Sequence, residues 1–205
     1  QYVFRQLFVR ILEIPVSFTS SLDAFVAFSG AKFSYAPQPL GQEFHVYASG
    51  FLTEQGISYQ ELKDAYHIAS QGLIDGGADA LLVETTQDLL QAKAAVNGAR
   101  AARDNCERDI VLIAQVTVET TGTMLLGSEI GAALNSLAAL DVDLIGMNCA
   151  TGPAEMSEHL RTLSKSSPIG ISCMPNAGLP VLKDGGAYYP LGPDELASSL
   201  STFVD

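Results

Sequence analysis

Four strand-like runs in this sequence end on a side chain able to do chemistry: Glu84, Thr117, Asn148 with Cys149, and Cys173. The densest stretch is Asp143–Pro153, DLIGMNCATGP. Its apolar run from Asp143 to Met147 is long enough for a buried strand. Asn148 and Cys149 stand where that run stops, and Gly152 and Pro153 open a helix, since proline suits the first helical position. A cysteine at the carboxyl end of a strand, just before a helix, lies where α/β folds bind ligands. Its sulfur could be a nucleophile, a metal ligand or an inert core atom. No His-x-Glu or Cys-x-x-Cys partner lies nearby.

The other strand ends carry similar alternatives. Glu84 closes ADALLVE, and a carboxylate at the end of a buried strand needs a partner. That partner is a substrate ammonium on one reading, and the next helix or a lysine on the other. Thr117, Thr120, Thr121 and Gly122 could hold a carboxylate with hydroxyls and backbone N–H groups, or simply form a polar turn. Cys173 ends the strand after Cys149's, where both sulfurs could face one mouth, but packing is its first expected role. The loop MPNAGLP, 174–180, is stiffened by two prolines. Its Asn176 either bonds a substrate or holds the turn. Cys106 is expected to be incidental and His159 to lie on a solvated helix face, while His45 and His67 show no constellation.

A regular alternation of elements must position these residues. FHVYASG, 44–50, reads as a strand. Ser58 and Glu61 form a capping box for a helix from Tyr59 to about Asp75, which Gly76 and Gly77 stop. ADALLVE is a continuous apolar strand of the kind buried on both faces in a parallel sheet. The alanine-rich TTQDLLQAKAAVNGARAARD follows as a helix. Asp109–Thr117 is the next strand, and Ser128 is a candidate cap for EIGAALNSLAAL. After the strand to Met147 come a helix from Pro153 to about Lys165, a strand at 169–173, a loop to 192, and a last helix led by Pro193, Asp194 and Glu195. The strand ends recur at steps of roughly 30 residues, the length of a βα unit. A parallel sheet with helical crossovers follows, either a (β/α)8 TIM barrel or an open doubly wound sheet. Polar residues at successive strand ends favour the barrel, and no Gly-x-Gly-x-x-Gly follows a strand. Five strands are legible, with one more near the start, so the barrel is expected to be incomplete, lacking N-terminal strands and its last strand. Residues 1–43 show no stable period and stay unassigned, leaving 44–205 as the partial barrel domain.

The totals narrow the function classes. At 205 residues the chain can bury one real core. Its 47% hydrophobic content and mean hydropathy of +0.21 are those of a globular protein. A net charge of −12 argues against binding nucleic acid or anionic lipid through a basic face. No run reaches the length of a membrane span, and the opening residues, which include Arg5, Arg10 and Glu13, do not form a signal peptide. Three cysteines make no disulfide framework and favour a reduced, cytoplasmic setting. The chain begins without Met and is expected to be a fragment.

IGMNCATGPAEMSEHL, followed by ISCMPNAGLPVL and GAYYPLGPDELA, resembles the homocysteine-binding domain of cobalamin-dependent methionine synthase, one of the zinc-dependent homocysteine S-methyltransferases. The resemblance runs from about residue 45 to the end, includes ADALLVETTQDLLQAKAA, and does not extend to residues 1–43. It implies a (β/α)8 barrel whose zinc is held by three cysteine thiolates, one of them Cys149. The other two, an adjacent pair in a Gly-Gly-Cys-Cys segment, are absent from the sequence, as is the N-terminal Asp-Gly-Ala-Met-Gly segment. Cys173 is not among the implied ligands.

The resemblance also implies a chemistry. Zinc would keep the homocysteine thiol as a thiolate, which takes a methyl group from methylcobalamin to give methionine. Glu84 would bind the substrate amino group, and Asn148 and Asn176 would orient the site; Thr117, from its place at a strand end, is a further candidate for substrate contact. Cobalamin and methyltetrahydrofolate would be handled by other domains. Two alternatives stand beside this reading: a donor such as S-methylmethionine or betaine, and a non-catalytic piece of a barrel.

Overall fold

The computed structural model describes residues 58–183 and 186–204. The expected strand at 44–50, His45 and residues 1–43 lie outside them. The first helix, α1, spans Tyr59–Asp75. Its bounds are the expected ones because both ends are chemically marked. The Ser58 hydroxyl accepts from the Glu61 N–H, the Glu61 carboxylate accepts from the Ser58 N–H, and Gly76 caps the end. Arg108 donates to the carbonyls of Ile74 and Ala78, a cation where the helix dipole favours one.

From there strands and helices alternate. β1 is Ala80–Thr86 and α2 is Leu89–Asp104, with Asp88 as N-cap accepting from the Gln91 N–H. β2 is Val111–Val116, α3 is Ile130–Leu137, β3 is Leu144–Asn148, α4 is Pro153–Ser166 and β4 is Gly170–Met174. The four strands are all parallel and lie in the order β1-β2-β3-β4. Leu81, Val83, Leu112, Ala114, Val116, Ile145 and Met147 point from the strands into one core shared with α1 to α4. The helices therefore cover one face of a sheet whose strand order never reverses. That is the winding of a barrel arc and not of a doubly wound sheet, in which the order reverses and helices cover both faces. The arc does not close among the described residues. No helix among them is long and apolar enough to cross a membrane.

Three expectations need correction, the first being β1, which begins at Ala80 and runs to Thr86, two residues later at both ends than ADALLVE. Ser128 does not cap α3: the N-cap is Glu129, without a side-chain cap bond, and the Ser128 carbonyl instead accepts from the Met124 N–H. The segment from 174 to 192 is not all loop. It contains an antiparallel hairpin of β5, Val181–Lys183, and β6, Gly186–Tyr188. The intervening Asp-Gly of the sequence is the turn signal that marks it. The closing helix, α5, spans Pro193–Ser201, with Asp194 and Glu195 in its first turn as expected.

Candidate functional site

Strand β1 changes character at its end. Val83 pairs with Ala114 but Thr86 pairs with Val116, so one extra residue is inserted on β1. This bulge re-aims the side chains around it, and Thr85 sits in the left-handed region at φ 56°. Glu84 follows core-facing Val83 and so leaves the sheet on the face away from the helices. It is partly buried, and its carboxylate has no hydrogen-bond or ion-pair partner among the described residues. Burial raises its pKa above the ordinary carboxylate value.

Asn148 ties the end of β3 to that bulge across the intervening strand. Its Oδ1 accepts from the Thr85 N–H at 2.8 Å, and its Nδ2 donates to Thr85 Oγ1 at 2.6 Å. Thr117, just past β2, donates its hydroxyl to the Asn148 carbonyl at 3.2 Å. Asn148 and Thr117 are both buried. Three strand ends are thus bound into one rigid unit next to Glu84.

Cys149 and Ala150 come next, at φ 61° and 58°. Two consecutive non-glycine residues in the left-handed region store strain, which persists only where the surroundings enforce it. Here they do. The Cys149 N–H donates to the Met174 carbonyl at 3.2 Å, and the Asn176 N–H donates to the Thr151 carbonyl at 3.0 Å. A Cβ on Gly152 would fall 2.7 Å from Gly178 Cα, so the CATG and PNAG turns press backbone against backbone. The Asn176 main chain thus ties the two turns together, and its side-chain amide makes no hydrogen bond among the described residues. Gly152 caps α4, with its N–H held by Glu155.

Cys173 belongs elsewhere. Its sulfur lies 4.0 Å from Met156 Sδ on α4, and it packs against the helix-side core. Burial pushes its thiol pKa up to about 11. Packing, its first expected role, is the one it fills. Three His, Cys, Asp or Glu side chains placed to hold one metal ion do not occur among the described residues. Zinc takes at least three protein ligands, so the described residues hold no complete set.

Two residues of the site face escaped the sequence reading. Gln115, one residue before the end of β2, is fully buried and donates from Nε2 to Ser172 Oγ at 2.7 Å. The available signal was a lone amide inside the apolar run DIVLIAQVT, because buried polar groups are uncommon and informative. Thr85, which completes the Asn148 clamp, was hidden because a bulge has no sequence period.

A family model described as homocysteine S-methyltransferase matches residues 19–205. The methionine synthase of Mycobacterium tuberculosis is 64% identical over 146 residues, which is 71% of this chain and 12% of that protein. The methionine synthase of Mycobacterium leprae matches with the same identity and coverage. The chain thus spans 12% of the length of these relatives. The apo structure of the homocysteine methyltransferase MmuM from Escherichia coli superposes with a TM-score of 0.53 at 16% identity, covering 80% of this chain and 63% of that one. At that identity the likeness is one of fold.

Proposed function

Since the chain belongs to the homocysteine S-methyltransferase family, we propose that it forms the homocysteine-binding part of a cobalamin-dependent methionine synthase. In this reading the complete protein moves a methyl group from methylcobalamin to the homocysteine sulfur, giving methionine. The observation that carries the reading is Glu84, a partly buried carboxylate at a strand end without a counter-ion among the described residues, adjoining the Asn148 clamp and the strained Cys149 turn. A desolvated carboxylate calls for a cation, and the α-ammonium of an amino acid supplies one.

The other residues have positioning roles. Asn148 and Thr117 fix the bulge that aims Glu84, and the main chain of Asn176 fixes the turn that presents Cys149. Cys149 is this chain's candidate zinc ligand, and its co-ligands lie outside the described residues. Methylcobalamin, bound by other domains, supplies the methyl group, and methyltetrahydrofolate is likewise handled there. Thiol and thiolate chemistry suits a reduced, cytoplasmic compartment.

The 64% identity to methionine synthases favours methylcobalamin over S-methylmethionine or betaine as donor. The full-length protein, supplied with homocysteine and each donor in turn, should form methionine with methylcobalamin. Turnover with S-methylmethionine or betaine alone would move it to another branch of the family, and no methionine from any donor would remove the catalytic reading.

A further inference from the structure

Gln115 lies near the carboxyl end of β2, on the sheet face that carries Glu84. The register sets Gln115 against Gly146, and Gly146 against Ser172. Gln115 and Ser172 are therefore two strand spacings apart, roughly 10 Å. The amide can cross that gap only because residue 146 has no side chain. A Cβ there would fall 1.8 Å from the Ser172 carbonyl oxygen. The bond from Nε2 to Ser172 Oγ fixes the amide and leaves Oε1 as a fully buried acceptor with no hydrogen-bond partner among the described residues. An unpaired buried acceptor is costly unless something fills it.

The bulge places Glu84 and Thr85 opposite Gln115, on the neighbouring strand. Glu84 and Gln115 thus leave adjacent strands on the same face of the sheet, each an acceptor without a donor among the described residues. A primary ammonium carries three N–H donors, more than one carboxylate oxygen can satisfy. We propose that Gln115 Oε1 accepts a hydrogen bond from the substrate α-ammonium alongside Glu84, and that Ser172 with Gly146 holds the amide in that orientation. The inference rests on the homocysteine reading, and makes Gln115 a residue that distinguishes an amino acid from a plain thiol acid.

The test compares two ligands by calorimetric titration of the full-length protein: L-homocysteine and its desamino analogue, γ-sulfanylbutanoate. Gln115→Met should weaken homocysteine about tenfold or more, the scale of a hydrogen bond to a charged group, and leave the analogue unchanged. Gln115→Glu, which keeps an acceptor of the same shape, should preserve the preference. Should Gln115→Met fold poorly, Gln115→Glu alone decides, since a lost preference there overturns the assignment. Equal loss of both ligands in Gln115→Met, or loss of neither, also overturns it and leaves a water-filled structural amide. Wild-type protein that prefers homocysteine while Gln115→Met keeps that preference sinks only the Gln115 role. Wild-type protein that binds no homocysteine sinks the functional reading with it.

Discussion

Glu84 is held in a place that does not favour its charge. Its pKa is raised by burial alone, so between the ordinary carboxylate value and its raised one the folded state binds more protons than the unfolded. Stability of the ligand-free protein then falls as pH rises through that window. Glu84→Gln removes the buried charge. It should raise the melting temperature at neutral pH and flatten the pH dependence, while weakening homocysteine binding in the same protein. Thermal melts across the acid range and a homocysteine titration check the two halves. An unchanged homocysteine affinity would remove Glu84 from the site, and a lower melting temperature would mean that the carboxylate has a structural partner. The sequence showed Glu84, Asn148 and Cys149 because each interrupts an apolar run. It could not show that both ends of the Asn148 amide engage Thr85, since the bulge that brings them together comes from three-dimensional register. Asn176 was legible as a residue of a stiff turn, but its main-chain bond to Thr151 was not.

At the scale of elements, the site is only as firm as the layer of helices behind the sheet. In that layer α1 and α2 approach tightly at Gly98. A Cβ there would lie 2.4 Å from the Lys63 carbonyl oxygen and 2.8 Å from Tyr66 Cβ. Gly98→Ala trades a gain in helix propensity for a clash with backbone. The clash should win, because overpacking costs about 1–3 kcal/mol and the propensity gain is at most about 1 kcal/mol. A lower midpoint in thermal unfolding is expected, and an unchanged or raised one would show that the helices can part without loss. The bounds of α1 were legible because a capping box and a glycine pair mark its ends. β1 was placed too early because the apolar run begins at Ala78, yet that residue still belongs to the turn: its N–H bonds the Leu73 carbonyl. The β5–β6 hairpin escaped because it is short and its residues are mostly exposed, which leaves no apolar alternation to read.

At the scale of the molecule, the described residues form an arc of four parallel strands whose carboxyl ends carry Glu84, Thr117, Asn148 and Cys149. The barrel winding was legible from the repeating βα unit and the polar strand ends. The observed strand order and the single helix-covered face bear out that choice over a doubly wound sheet. On the proposed function, the arc is the homocysteine-binding wall of a larger enzyme, with Cys149 at its rim. The most direct test is methionine formation from homocysteine and methylcobalamin by the full-length protein and its Cys149→Ser variant, both verified as folded by thermal melts. Turnover by the wild type and none by Cys149→Ser is expected. A Cys149→Ser protein that forms methionine at the wild-type rate would contradict the role of Cys149 and the zinc chemistry built on it.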